Sequence, residues 1–173
     1  MVRQHIALSF VLLVLLAGCG AAGAASPATY DDPFAYCSAA GTVDAPGAAY
    51  TGPKAPPSVA EGLQTALNVP DTPLEVLQNG SSWRCMDGAV YACFVGANLP
   101  CEAKANTDQT PAQEAVDLCV QNKNADVIPA AVTGRETVYA WRCRDGAPET
   151  VQQLFHPDAQ GFISEIWYEI SPK

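Results

Sequence analysis

The sequence predicts an α+β domain, a tandem α-β-β repeat whose strands form an antiparallel sheet with two helices on one face, the whole stapled by disulfides. Three observations carry this reading. The stretch Trp83-Arg84-Cys85-Met86-Asp87-Gly88-Ala89 recurs as Trp141-Arg142-Cys143-Arg144-Asp145-Gly146-Ala147, identical at six of seven positions. Asp-Gly between strand-forming runs marks a two-residue hairpin, because a primed turn needs positive φ at its centre. Each hairpin is preceded by a capping-box pattern and an apolar stripe, at Ser58–Glu61 and at Thr110–Gln113.

In chain order, Met1-Val2-Arg3-Gln4-His5 leads into an apolar run from Ile6 to Ala17 broken only by Ser9. A basic start and a short apolar core are a secretion signal, and the run falls short of the roughly 20 apolar residues that span a membrane. The run closes Leu16-Ala17-Gly18-Cys19. This tetrapeptide resembles the lipobox of bacterial lipoproteins, in which the bond before the Cys is cut and the Cys is lipidated. The resemblance implies a signal peptide over residues 1–18, a lipid at Cys19 and a stable membrane anchor. Gly20 rather than Asp after Cys19 implies, in a Gram-negative cell, sorting to the outer membrane. Residues 19–32 are small and polar and read as a flexible tether, leaving 33–173 as a single domain. Asp32-Pro33 through Gly41-Thr42, with Tyr36-Cys37 between, loosely resembles the start of a small bacterial lipoprotein module; no function transfers with so short a match. The mature domain resembles no family of known function.

Residues 41–57 hold three Gly and four Pro and read as loop. Val59, Leu63, Ala66 and Leu67 then share one face of a helix over about 59–68. Thr72-Pro73 starts a shorter helical turn through Leu77, with Gly80 placed to end it. The first hairpin is Ser81–Met86 with Ala89–Val95. After a loop through residue 109, Ala112, Ala115, Val116, Cys119 and Val120 form the inner face of a helix ending near Asn122. The second hairpin is Thr137–Arg144 with Pro148–Phe155. A turn at 156–161 leads to a last strand, Phe162–Ile170, read from period-two alternation.

With Cys19 set aside, six of the seven Cys remain, an even number that argues for a disulfide framework in an exported domain. Zinc is the weaker rival, since no Cys-x-x-Cys pair occurs and His156 is the one His after the signal. A two-residue turn at Asp87-Gly88 sets Cys85 opposite Val90 and Ser82 opposite Cys93. Cys85 and Cys93 then lie too far apart to bond, because a disulfide needs Cα atoms within ~7 Å. Cys93 and Cys101 flank a Gly- and Pro-containing loop that folds back easily. Cys119 faces the second hairpin and hence Cys143, which leaves Cys37 for Cys85.

Arg3 leaves with the signal, so eight basic residues face 18 acidic ones, a net charge of −10. Such a chain is a poor partner for nucleic acid, whose phosphates it cannot neutralise. No nucleophile-base set, phosphate loop or calcium loop occurs, so the expectation is a protein that is not an enzyme and needs no cofactor or metal. Arg84, Arg142 and Arg144 all sit in the repeated hairpin tips, near Trp83 and Trp141. With Trp167 on the last strand they are the candidate binding surface, since Arg and aromatic residues suit recognition of a glycan or a protein. Against this, the two tip Trp pack inward and Arg142 pairs across the hairpin with Glu149. Two function classes follow. One is an envelope-anchored lipoprotein acting as a non-catalytic binding module for a glycan or protein, for example an inhibitor of a cell-wall hydrolase; lysozyme-inhibitor lipoproteins are similar in size and address. The other is an accessory subunit of an envelope complex, favoured by an exposed Trp167.

Overall fold

A computed structural model describes residues 28–96 and 98–172; the expected signal peptide and lipobox and most of the expected tether lie outside the described residues. The elements are α1 (Pro33–Ala40), α2 (Pro57–Ala66), α3 (Leu74–Asn79), β1 (Ser81–Met86), β2 (Ala89–Phe94), α4 (Gln113–Gln121), α5 (Ala130–Thr133), β3 (Tyr139–Arg144), β4 (Ala147–Gln153) and β5 (Tyr168–Ile170). The chain is α+β, antiparallel and disulfide-stapled. The strands divide between two ladders, however: β1-β2-β5 and β3-β4.

The division has a local cause. The expected strand Phe162–Ile170 shortens to β5 because its first half is a turn. Phe162 and Ile163 are both buried, as are Ile166 and Trp167. That spacing belongs to a helical turn rather than to a strand, and residues 164–166 form one turn of 3₁₀ helix. Only three residues then remain to pair, and they add to β2. The outer edge of β3 is instead taken up by single bonds, from Cys143 N to Ala125 O (2.8 Å) and from Ile128 N to Trp141 O (2.8 Å).

Both hairpins turn as the Asp-Gly pairs dictate. Asp87 and Gly88 have φ of 53° and 83°, and Asp145 and Gly146 have 52° and 87°. The register follows: Cys85 lies opposite Val90, Ser82 opposite Cys93 and Arg142 opposite Glu149. A Cβ added at Gly88 would also come 3.9 Å from the Cys37 carbonyl, and one at Gly146 3.8 Å from that of Cys119. Gly88→Val and Gly146→Val therefore each lower stability by about 1–3 kcal/mol, since a β-branched residue at positive φ is strained. Denaturant midpoints equal to wild type for both would show that the tips relax at no cost.

The expected disulfides all form: Cys37–Cys85, Cys93–Cys101 and Cys119–Cys143. Each lies in its own apolar cluster. The first joins α1 and α2 to one face of β1-β2-β5, with Tyr36, Val59, Leu63, Trp83, Val90 and Ile170. Here α2 crosses β5 so closely that a Cβ at Gly62 would stand 2.3 Å from Ile170 Cγ2. The second packs Phe162, Ile163, Ile166 and Trp167 against the opposite face of the same sheet. The third sets Ala115 of α4 against Trp141 of the second ladder.

The repeat is real but is offset from the one the capping boxes suggest. The counterpart of α4 is α1, not α2. In the first copy Gly88 N donates to Gly41 O (2.9 Å), Asp87 N to Thr42 Oγ1 (2.9 Å) and Cys85 N to Val43 O (3.1 Å). In the second, Gly146 N donates to Lys123 O (2.9 Å), Asp145 N to Asn124 Oδ1 (3.1 Å) and Cys143 N to Ala125 O (2.8 Å). Each acceptor stands at the same offset from its helix Cys, Cys37 or Cys119. The disulfides span 48 and 24 residues, so the first copy carries a longer connection, and α2 falls within it.

Neither expected capping box caps. Helix α2 begins after Pro56 and α4 after Ala112, with no side-chain cap bond at either. The capped helix is α1, where Asp32 Oδ1 accepts from Ala35 N (2.7 Å) and Pro follows at the first helical position. Order begins before residue 33, since Tyr30 N donates to Ala49 O (2.8 Å) and Thr51 N to Tyr30 O (2.7 Å). Val120, expected on the inner face of α4, points to solvent.

Candidate functional site

The expected binding surface does not assemble at the hairpin tips. Arg142 and Arg144 both bond Glu149 on the second ladder, Arg144 at 2.9 Å and with 58% of its side chain exposed. Glu149 is held below the usual carboxylate range chiefly by the bond from Arg142. Arg84 lies elsewhere, fully buried, and Trp167 is 7% exposed rather than an exposed edge residue. The cause is alternation along β1. Trp83 and Cys85 face α1 and α2, so Arg84 faces the opposite side, where the C-terminal segment covers it. Trp83 and Trp141 do pack inward, their indole nitrogens donating to Lys54 O (2.7 Å) and Thr137 Oγ1 (3.2 Å).

Arg84 and Trp167 come together nevertheless. The guanidinium carbon lies 4.4 Å from the Trp167 ring centroid, 4.6 Å from that of Phe162 and 5.9 Å from that of Tyr91. Its Nη2 pairs with Asp158 Oδ2 and its Nη1 donates to Gln160 Oε1. Asp158 Oδ1 accepts from Gln160 N (2.9 Å) and Phe162 N (3.1 Å), which fixes the turn carrying both. Gln160 Nε2 donates to Asp44 Oδ1 (2.8 Å), and Lys104 Nζ bonds both Asp44 Oδ2 and Gln160 O at 2.6 Å. One polar chain, Asp158–Arg84–Gln160–Asp44–Lys104, thus ties β1 to three loops.

Beside it opens a cleft of about 600 Å³ along the outer side of β1. Tyr50, Trp83, Phe162 and Trp167 supply aromatic walls, and Asp44, Lys54, Glu102 and Lys104 a charged rim. Tyr50 and Trp83 stack edge-to-face with centroids 4.8 Å apart, as do Phe162 and Trp167 at 5.5 Å. Lys104 Nζ stands 3.6 Å from the Phe162 centroid. The buried Tyr50 Oη and Trp167 Nε1 have no hydrogen-bond partner among the described residues. The Lys104 bond lowers the Asp44 carboxyl against the opposing effect of burial, so it is an anion at neutral pH and a poor general acid. Ser81 Oγ donates to Leu77 O and Ser82 Oγ to Glu102 Oε1 (3.0 Å).

His156 lies outside the cleft, 69% exposed, with Nδ1 2.9 Å from Glu165 Oε1. Desolvation pushes Glu165 up, but bonds from the His156 ring and amide outweigh it and bring it down to about 2. Among the described residues no three His, Cys, Asp or Glu stand together as a metal site.

The fold and cleft define an internally duplicated, disulfide-stapled α+β domain with an aromatic groove at one sheet edge. No family model matches the chain, and no curated protein or solved structure is significantly similar to it.

Proposed function

We propose that this chain is an exported, lipid-anchored envelope protein that binds a glycan or protein ligand without transforming it. The observation that carries the reading is the aromatic-walled cleft beside β1, whose size falls within the range of about 300–1,000 Å³ usual for ligand sites. Its Ser hydroxyls donate within the fold and Asp44 is locked to Lys104 and Gln160, while Tyr50 Oη and Trp167 Nε1 are left as hydrogen-bonding groups for a ligand. That favours recognition over catalysis. Blocking a cell-wall hydrolase is one use such a cleft would serve. The accessory-subunit reading loses its motive, since Trp167 is a wall of the cleft and not an exposed edge residue. Attachment through Cys19, in the outer membrane if the cell is Gram-negative, places the cleft at the envelope.

The test is a titration of the full-length chain, purified in detergent, with cell-wall glycan fragments and with peptides, followed by Trp emission. Trp83 and Trp167 line the cleft and report its filling. Ala45, exposed at the same wall, allows the cleft to be plugged from outside the core by Ala45→Trp. Binding is expected in wild type and lost in the plugged variant. A ligand bound equally by both would move the site elsewhere. Intact mass should show loss of residues 1–18, lipid on Cys19 and six oxidised Cys; free thiols or a chain starting at Met1 would sink the anchored reading.

A further inference from the structure

We infer that the ligand is an extended polypeptide segment that pairs with the open edge of β1 at Ser81 and Trp83, an inference that rests on the cleft reading above. In an antiparallel ladder, alternate residues turn their backbone groups away from the partner strand. Outward from β2 point Ser81, Trp83 and Cys85. The Cys85 rung is occupied: Cys85 N donates to Val43 O (3.1 Å) and Val43 N to Cys85 O (3.0 Å). That bridge fixes the parity, and the β2-β5 pairing agrees with it, since Val90 and Ala92, opposite Cys85 and Trp83, are the residues that meet Ile170 and Tyr168. After Val43 the chain leaves the edge and swings out through Asp44–Gly47, Tyr50 and Lys54, which line the far side of the cleft. The outward amide and carbonyl groups of Trp83 and Ser81 are left without a backbone partner among the described residues.

The cleft is therefore the gap between a strand edge and the loop that leaves it. A second hollow of about 410 Å³, lined by Lys54, Ala55, Gln78 and Asn79, continues the groove past Ser81. Free backbone groups on one strand recur every second residue, ~6.8 Å apart at strand rise, a spacing that an extended peptide matches along its length. Side chains of an added strand alternate between two walls. One wall is Trp83 and Tyr50; the other is Phe162, Trp167 and Ser82. The ligand chemistry follows: apolar residues at alternate positions and no proline at a position that must donate. The loop also explains how an open edge is tolerated, because a strand seated under 44–54 cannot start the sheet-to-sheet aggregation that a bare edge invites.

The experiment uses the full-length chain in detergent micelles and a synthetic pool of peptides about five residues long with Val, Thr or Phe at alternate positions, a length typical of strands. Cell-wall glycan fragments form the second arm. Amide exchange at Ser81 and Trp83, read by NMR, is expected to slow by about tenfold or more on peptide binding, and backbone N-methylation at the pairing residue to weaken affinity by about tenfold, as loss of one buried hydrogen bond requires. Ala45→Trp abolishes both effects. Peptides that bind with those two amides unchanged overturn strand pairing. Glycan fragments that bind where peptides do not overturn it too, while leaving the cleft as a ligand site. If neither class binds, both readings fall.

Discussion

Arg84→Ala lowers the stability of the domain by about 3–5 kcal/mol, the cost of breaking a buried ion pair by removing one partner. The residue has no exposed surface, and its partner Asp158 keeps only 9% of its side chain exposed. Truncation leaves the Asp158 carboxylate facing a void between Phe162, Trp167 and Tyr91, and it frees Gln160, which positions Asp44. Arg144→Ala is the control from the other repeat. It removes a half-exposed pair with Glu149 and leaves the midpoint nearly unchanged, because solvent screens such a pair. Denaturant midpoints decide between them. Equal midpoints for the two variants would mean that Arg84 is solvated in practice and that the polar chain beside the cleft holds nothing together. Arg84→Met refills most of the volume but not the charge, so it should fall between wild type and Arg84→Ala.

This result separates what the sequence shows from what it hides. The Asp-Gly pairs act locally, so turn type, register and the exclusion of Cys85–Cys93 are legible from a few neighbours. The three disulfides follow from that exclusion together with the short loop between Cys93 and Cys101 and the face on which Cys119 lies. Burial of Arg84 is not local. It depends on residues 158–167 folding over the far face of β1, some 74 positions away along the chain. A signal for that fold-back was present: Phe162, Ile163, Ile166 and Trp167 carry a helical-turn spacing, but an alternating reading of the same stretch as a strand masks it. Helix α1 was signalled too, by Asp32 before Pro33, and was hidden because the small residues ahead of it read as tether. The cleft has no motif at all. Its walls come from the loops at 44–54, 101–104 and 162–167 and from β1, and only tertiary structure brings them together.

Removing the Cys37–Cys85 bridge is the second large perturbation. In the chain-entropy account a cross-link stabilises by restricting the unfolded chain, more so for a longer loop. The three loops span 48, 24 and 8 residues. The corresponding stabilisations are about 4, 3.5 and 2.5 kcal/mol. Against a total of roughly 5–15 kcal/mol for a domain, the first is a large share. Native structure reinforces the ranking, because the Val43 rung sits on Cys85 itself. Cys37→Ala with Cys85→Ala should therefore lower the denaturant midpoint more than Cys93→Ala with Cys101→Ala does. It should also loosen the edge of β1 next to Trp83, seen as faster amide exchange at Val43 and Cys85, whereas the Cys93–Cys101 variant leaves those amides protected. An inverted order of midpoints would show that the native packing of Cys93 and Cys101 among Phe162, Ile163 and Trp167 outweighs the smaller entropic effect of their short loop. The exchange readout then decides whether the Cys37–Cys85 bridge is needed to hold the cleft wall or only to restrict the unfolded chain.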